Sequence, residues 1–317
     1  MKKLLRCNGL HKKGFELSLK AIFTMIAGAA ILLFFMQFAF DQQTVQETVQ
    51  TREALVDLDD QLDAFTVSQS SAQTIKLPKK AELQFTCQGM QLGDYARTDE
   101  KLIFSESYTT DRLNAWTLRW EFPFPIANAI YLDVGRRYIL VYDQNSMNEV
   151  KELDIPDIFS AQKQDIRNFN ADRLKAELGG KKATLAFFTA ALPAGTDKIS
   201  ADIIKVNMNT NELDINGEQT FYLGKPMLLG AIFGPSAYAC TQEQAIERMH
   251  LVSTLHAQRA SLLALKATRA CKNNLFAAQQ TLTLLSQATL KEQLYALQEK
   301  IAQQNKELEK DGCATIY

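Results

Sequence analysis

The chain has few of the residues, and none of the short motifs, that most often mark an active site. Its 317 residues include three histidines, at positions 11, 250 and 256. The G-x-S-x-G, H-E-x-x-H, P-loop and G-x-G-x-x-G sequences are all absent. Glu247 and His250 have the E-x-x-H spacing of di-iron helix bundles, but such sites need a second copy of that motif. We therefore predict no catalytic residue, no metal site and no cofactor.

A strong charge of one sign is also missing. The chain has 35 Lys and Arg against 36 Asp and Glu, which gives a formal net charge of −1. This balance offers no electrostatic reason to expect nucleic acid as a partner. With 46% hydrophobic residues, the chain can still bury a sizeable core, and its length suits one or two domains.

Long hydrophobic runs are absent with one exception, at residues 21–40. These 20 residues carry no charge, and a helix of that length covers roughly 30 Å, the hydrocarbon thickness of a bilayer. A core helix of a soluble protein seldom stays apolar all round for so long. A cleaved secretory signal would have a shorter apolar region of about 7–15 residues. We therefore predict a transmembrane helix over residues 15–40, with the lipid bilayer as a partner.

The charges on the two sides of this run differ in sign. Five basic residues and no acid precede Gly14, whereas seven acids and one arginine lie between Phe40 and Phe65. The positive-inside rule then places the N-terminus in the cytoplasm and the rest of the chain outside. We expect a basic cytoplasmic leader over residues 1–14 and a single-pass location in the cell membrane.

Cysteine is scarce, and four of the five cysteines follow the membrane segment: Cys87, Cys240, Cys271 and Cys313. An oxidising exterior favours two disulfides, for which three pairings exist. Reduced buried thiols and a metal site are the alternatives, although no C-x-x-C spacing supports zinc. We favour Cys271 with Cys313, because a helical reversal would bring them to the same end, and Cys87 with Cys240.

Residues 41–80 are predicted to form a helical stalk and a linker. Five apolar residues recur at helical spacing without an intervening Gly or Pro: Val49, Leu55, Leu58, Leu62 and Phe65. This helix could stand as a stalk, or lie against the outer domain or a neighbouring copy. The polar stretch at residues 66–80, "TVSQSSAQTIKLPKK", reads as a linker.

Residues 81–235 carry short apolar runs separated by turn residues, which predicts a mixed α+β domain. We expect a hairpin with Gly135 at its turn, a helix from about 156 to 180 that is ended by Gly179 and Gly180, and a buried strand at residues 228–233, "LLGAIF". Four aromatic residues are assigned to the core rather than to a binding surface: Trp116, Trp120, Phe122 and Phe124.

The last segment, residues 240–317, contains neither Gly nor Pro before Gly312. Thr241 and Thr289 are each followed three residues later by Gln or Glu, which is the capping-box signature of a helix start. Gly312 is a helix stop, and "CKNN" at residues 271–274 marks a weaker break. We predict a C-terminal antiparallel helical hairpin.

Two resemblances to known families accompany these patterns. In "HKKGFELSLKAI", basic residues, Gly14 and an apolar helix resemble the class III signal peptide of type IV pilin-like proteins. That resemblance implies cleavage after Gly14, with Phe15 as the mature N-terminus. It also implies that the apolar helix packs against copies of itself or other pilin-like subunits. Leu19 stands where bacterial leaders have Glu, and archaeal leaders vary more.

Scattered segments, including "ELQFTCQG", "AWTLRWEFPFPIANAIYL" and the terminal "GCATIY", resemble a family of uncharacterised single-pass proteins from archaea. The family implies this architecture and a surface location, and it assigns no activity. We expect a structural or interaction protein, such as a pilin-like minor subunit of a surface appendage or secretion complex. A permanently anchored ectodomain that binds a ligand or envelope component is the alternative. An anchored hydrolase, built from carboxylates that meet only in the fold, is a third.

Overall fold

The structure is a computed structural model that describes residues 19–68, 70–86, 89–98 and 100–317. The predicted leader, with Gly14 and Phe15, and Cys87 lie outside these residues. The chain divides into two compact units, residues 1–51 and 52–317. The fold is mixed α+β, with one apolar N-terminal helix, two β-sheets and C-terminal helices.

The first helix, α1 (Leu19–Val67), is 49 residues long. Within the first unit it contains Phe23–Phe40, a stretch with mean hydropathy 2.1 and no buried residue. It is the one helix in the described part of the chain that is long and apolar enough to cross a membrane. The apolar helix therefore stands where the sequence predicts it, and its orientation stays a prediction.

The part of α1 in the second unit lies against a sheet of that unit. Leu55, Leu58, Leu62 and Phe65 are all buried in one cluster with sheet residues such as Leu83. Because the four recur every three or four residues, they occupy a single face of the helix. Of the alternatives for this helix, contact with the folded domain that follows it is the one observed for residues 54–65.

The first sheet contains six strands in the order β3-β2-β1-β5-β6-β4. All its neighbours are antiparallel except β4 and β6. The strands are β1 (Ala72–Thr86), β2 (Gly89–Leu92), β3 (Tyr95–Thr98), β4 (Leu102–Phe104), β5 (Tyr108–Glu121) and β6 (Pro125–Asp133).

The prediction of a linker over residues 66–80 is wrong, because β1 begins at Ala72. The polar composition of the stretch led to that prediction, and Pro78, which cannot donate to a strand ladder, lies near its end. Pro78 falls in the irregularity between Lys76 and Ala81, where the register with β5 shifts. Ile75 and Leu77 are buried on one side of the strand, which anchors its first half to the core.

The second sheet has the order β12-β11-β10-β9-β7-β8. Four neighbouring strands, β10, β9, β7 and β8, run parallel to one another. The hairpin of β11 and β12 adds antiparallel to β10. The strands are β7 (Arg137–Tyr142), β8 (Ala161–Asp165), β9 (Ala183–Phe188), β10 (Asp202–Asn207), β11 (Glu212–Ile215) and β12 (Glu218–Phe221). Two helices connect them: α2 (Met147–Lys151) and α3 (Ala171–Leu178).

The hairpin predicted around Gly135 is wrong, because β6 and β7 belong to different sheets. The carboxylate of Asp133 accepts hydrogen bonds from the backbone N–H groups of Gly135, at 2.6 Å, and Arg136, at 3.1 Å. This turn passes the chain from one sheet to the other. Residues 138–141 of β7 are buried, as expected of a strand with parallel neighbours on both sides.

The helix predicted from about 156 to 180 is shorter than expected. The helix α3 ends at Gly179, whose φ of 55° fits the predicted C-cap. The preceding residues form β8 instead, a polar strand at the end of the sheet order. Because β8 lacks an alternating apolar pattern, periodicity does not indicate a strand there.

The buried strand predicted at residues 228–233 is wrong, because these residues belong to the helix α4 (Gly224–Phe233). Every residue from 226 to 233 is buried, and periodicity cannot separate a buried strand from a buried helix. The helix packs on strands of both sheets. Phe233 contacts the rings of Trp116, Tyr131, Tyr138 and Phe159.

The C-terminal segment forms three helices rather than the two of a hairpin: α5 (Tyr238–Lys266), α6 (Arg269–Leu285) and α7 (Lys291–Lys310). Successive helices pack on each other. Neither predicted capping box is present, since the N-cap residues of α5 and α7 are Ala237 and Leu290. The first break lies at residues 267–268, ahead of the predicted 271–274, because the polar residues of "CKNN" continue α6.

The end of α7 agrees with the prediction. Gly312 has a φ of 67° after the C-cap Asp311, and the N–H of Cys313 bonds to the carbonyl of Leu308 at 2.9 Å. Cys271 and Cys313 form a disulfide, which joins the start of α6 to the segment after α7. Cys240 is also disulfide-bonded, and its predicted pairing with Cys87 involves a residue outside the described part of the chain.

Candidate functional site

The topology of the second sheet creates a crevice at the carboxyl ends of its parallel strands. From β7 the chain passes to β8 on one side, and from β8 it returns through α3 to β9 on the other side. Open sheets with parallel strands bind ligands at such a reversal of strand order. A cleft of about 620 Å³ lies there, within the usual range for small-molecule sites of roughly 300–1,000 Å³.

The cleft is lined by residues that follow the strand ends and by the β10–β11 hairpin. Asp143 and Ser146 come directly after β7, Thr189 comes directly after β9, and Asn207 ends β10. These groups are between 18 residues (Thr189 and Asn207) and 64 residues (Asp143 and Asn207) apart in the sequence, yet they meet in the fold. The reason is that β7, β9 and β10 are parallel neighbours, so their carboxyl ends meet at one edge.

Hydrogen bonds fix the floor of the cleft. One carboxylate oxygen of Asp143 accepts from the backbone N–H groups of Asn145, at 2.9 Å, and Ser146, at 3.0 Å. The buried hydroxyl of Ser146 donates to the carbonyl of Phe188 at the end of β9. The loop after β7 is therefore tied to the end of the neighbouring strand, so the two sides of the crevice are held together.

The lining is acidic. Among the residues that the structure describes, it contains the carboxylates of Asp143, Glu149, Glu212 and Asp214 against one ammonium, that of Lys205. Burial acts to raise the pKa of Asp214, but hydrogen bonds from Lys205, at 2.8 Å, and from the N–H of Gly217 hold that pKa below its usual value.

At the margin of the cleft, hydrogen bonds from Lys291 and Thr210 lower the pKa of Glu212. Glu212 and Asp214 therefore stay ionised at neutral pH. Among its described residues the lining has neither His nor Cys. Its carboxylates and hydroxyls suit the binding of cationic or hydroxyl-bearing groups.

A second ionic cluster lies at the opposite, amino ends of the same strands. The buried guanidinium of Arg136 contacts the carboxylates of Glu106 and Asp202 and donates to the carbonyl of Ala183 at 2.9 Å. These contacts link the segment after β4 to the starts of β7, β9 and β10. Burial raises the pKa of the nearby Asp133 carboxyl. We assign this cluster to the structure, because each charge of Arg136, Glu106 and Asp202 is paired within it.

Glu247 and His250, which have the E-x-x-H spacing, belong to no cluster of three metal-binding side chains among the described residues. His250 lies 2.8 Å from the carbonyl of Ala288, so its ring holds α5 to the segment between α6 and α7. One group of three carboxylates lies close together among the described residues, at Asp59, Asp60 and Asp63. Lys101 already pairs with two of them, with Asp59 at 2.6 Å and Asp63 at 2.8 Å.

Most sequence-predicted site residues are not brought to the cleft. The candidate leader residues Gly14 and Phe15 are outside the described chain, and the disulfide of Cys271 and Cys313 lies in the C-terminal helices. The aromatic residues assigned to the core are buried there: Trp116, Trp120, Phe122 and Phe124. Sequence reasoning missed the cleft, although one signal existed. Asp143 and Thr189 each follow a buried apolar strand immediately, as polar residues at the carboxyl end of a parallel sheet do.

Comparison with known proteins adds no assignment. The chain matches no protein-family model, no curated protein and no solved structure. The resemblances to pilin-like leaders and to the archaeal family therefore rest on the sequence segments that carry them, and a function has to be argued from the geometry.

Proposed function

We propose that this chain is a membrane-anchored protein whose second unit faces the exterior and acts through binding and assembly. The exposure of Phe23–Phe40 carries the proposal. None of these 18 residues is buried, and water is a poor solvent for an apolar surface of this size. A bilayer matches its length, and the basic flank before Gly14 sets the orientation.

Membrane fractionation tests the anchor. We expect the full chain to remain in membranes after washing with alkaline carbonate. Leu32→Glu combined with Phe34→Glu should release it, since each charge at the centre of a spanning helix costs about 2.5–3.5 kcal/mol. Leu284→Glu, at an exposed leucine of α6, is the matched control and should stay with the membrane. Release of the unmodified chain would contradict the anchor.

The pilin-like form of this role adds processing of the leader. One helix supplies both the exposed apolar stretch and, at residues 54–65, the side chains that pack on the first sheet. A subunit held in an assembly by its N-terminal helix needs both features. The intact mass of the protein from native membranes tests this form: a chain that begins at Phe15 supports it, whereas one that begins at Met1 leaves a permanently anchored ectodomain.

The acidic cleft favours ligand binding as a second candidate. Its carboxylates and hydroxyls suit a ligand with amine and hydroxyl groups, such as an amino sugar of an envelope polysaccharide. Calorimetric titration of the full chain with glucosamine oligomers tests this candidate. Asp143→Asn combined with Glu149→Gln should weaken binding, and Glu218→Gln, on β12 outside the lining, should not. Equal binding by the unmodified chain and both variants would overturn this candidate, and so would the absence of binding to the unmodified chain.

A further inference from the structure

A row of exposed leucines runs along α5. Leu251, Leu255, Leu262 and Leu265 are 61%, 55%, 66% and 71% exposed. Single exposed leucines are common on protein surfaces, but four on one helix face, interrupted by Gln258, form an apolar stripe of the kind that marks an interaction surface. The side of α5 that packs on the rest of the fold is different, since it carries mainly small residues: Ala245, Ser253, Ala257, Ala260 and Ala264. At about 100° per residue the two rows lie on nearly opposite sides of the helix.

The spacing of the row is that of a coiled-coil seam. With Gln258 included, the positions 251, 255, 258, 262 and 265 advance by alternating steps of four and three residues. That alternation is the a/d pattern of the heptad repeat, in which Leu255 and Leu262 take a positions and the other three take d positions. The seam spans about 21 Å at a rise of 1.5 Å per residue.

We propose that α5 is the contact between two copies of this chain, which pack along this seam as a parallel, in-register helix pair. In that arrangement each seam residue meets its own counterpart. Four layers are leucine against leucine, and the amides of the two Gln258 side chains can hydrogen-bond to each other. A polar residue at one seam position is a known device for fixing the register of such pairs. An antiparallel pair would place a positions against d positions, which sets Gln258 against leucine.

The residues that flank the seam favour the parallel sense independently. Arg259 and Lys266 lie on one side of it, and Thr254 and Ser261 lie on the other. In a parallel pair the two different sides face each other, so each cation meets a hydroxyl. In an antiparallel pair like sides meet, and Arg259 would face a second Arg259 at close range. Charge repulsion therefore disfavours that alternative.

The inference deepens the proposed assembly role and rests on the anchor for one point, the local concentration. A seam of two heptads is short, so we expect weak association in dilute solution. Confinement of both copies to one bilayer raises their effective concentration. Copies inserted in the same direction can also be related by a two-fold axis along the membrane normal, which a parallel pair accommodates.

Cysteine cross-linking of the full chain in membranes tests the proposal, with Cys7→Ser as the background. Leu251→Cys and Leu265→Cys should each give a disulfide-linked dimer upon mild oxidation, because each residue meets its own copy. When differently tagged Leu251→Cys and Leu265→Cys chains are mixed, no cross-link between them is expected. Leu284→Cys, at a leucine of α6 that is 55% exposed, is the matched control and should stay monomeric.

Two outcomes would overturn the proposal. Cross-links between differently tagged Leu251→Cys and Leu262→Cys chains, in place of the self-pairs, would show an antiparallel pair, because there a d position meets an a position. The absence of any cross-link above the Leu284→Cys control would show that the seam does not pair. Neither result would affect the anchor, which membrane fractionation of the same samples reports separately. A second comparison does not need cysteines: Gln258→Leu should raise the dimer fraction in detergent, and Leu255→Glu with Leu262→Glu should lower it.

Discussion

The ring of Phe104 lies against the backbone of Gly230, so closely that a Cβ atom at position 230 would sit 2.4 Å from the ring. Phe104 is fully buried and stacks on Tyr131 and Tyr238. The contact joins the first sheet to α4, the helix that also packs on the second sheet. It therefore marks where the two sheets share one core.

Gly230→Ala should destabilise the second unit. The methyl group would overlap a ring that has no room to move, and overpacking of this kind costs about 1–3 kcal/mol. Denaturant unfolding of the full chain in detergent measures the change. Gly28→Ala is the control, because nothing lies within 4 Å of a Cβ atom at that position. Equal stabilities of the two variants would contradict the close contact.

The disulfide between Cys271 and Cys313 should stabilise the C-terminal helices. Its cysteines are 42 residues apart in the sequence, and closing a loop of that length stabilises the fold by roughly 4 kcal/mol in the chain-entropy model. Replacement of both cysteines by Ser should lower the melting temperature. A reductant should lower the melting temperature of that variant by less than it lowers that of the unmodified chain. An unchanged melting temperature would count against the disulfide.

Stability should depend on pH through His256. Its ring contacts Phe124 at 4.5 Å between centroids and packs near Tyr317, and burial lowers the pKa of His256 below 6.5. A base with a lowered pKa binds its proton more weakly in the folded state, so stability falls as pH drops from 6.5 through the folded-state pKa. The free energy of unfolding, measured across this pH range, should change less steeply with pH for His256→Gln than for the unmodified chain. An identical slope would contradict the assignment.

Asp59 should hold the end of α1 to the first sheet. Its buried carboxylate pairs with Lys101 at 2.6 Å and with Arg97 at 2.8 Å. Asp59→Asn should cost on the order of 1–3 kcal/mol, because Lys101 loses a buried counter-charge, and Asp63, which also pairs with it, is exposed. Asp60→Asn, at the neighbouring exposed carboxylate, should leave the free energy of unfolding nearly unchanged. A larger loss for Asp60→Asn would contradict this account.

Local patterns predicted some elements well because their physics is local. The buried face of α1 at Leu58 and Leu62 follows from helical periodicity. The stop of α3 follows from a glycine with positive φ at position 179. The disulfide of Cys271 with Cys313 follows from a reversal of the chain between them. Each of these features needs only residues that are near in sequence or a single reversal.

The failures have a common cause, which is that long-range packing decides them. Gly135 sits between two strands that look like a hairpin, yet β7 gains two parallel neighbours in another sheet. Residues 228–233 became a helix because α4 is covered on all sides, which no periodicity reports. The cleft depends on Asp143 and Thr189 lying at one edge, and this requires the parallel order of β7 and β9. The order of strands in a sheet depends on long-range pairing and cannot be predicted from any short segment.

The measurement that most directly tests the central claim is the side of the membrane on which the second unit lies. Lys306 is exposed on α7, and Lys306→Cys provides a thiol for a maleimide that cannot cross membranes. We predict that intact cells expressing the full chain label at this position as strongly as permeabilised cells. Labelling that appears only after permeabilisation would place the second unit in the cytoplasm and contradict the proposed anchored, exterior protein.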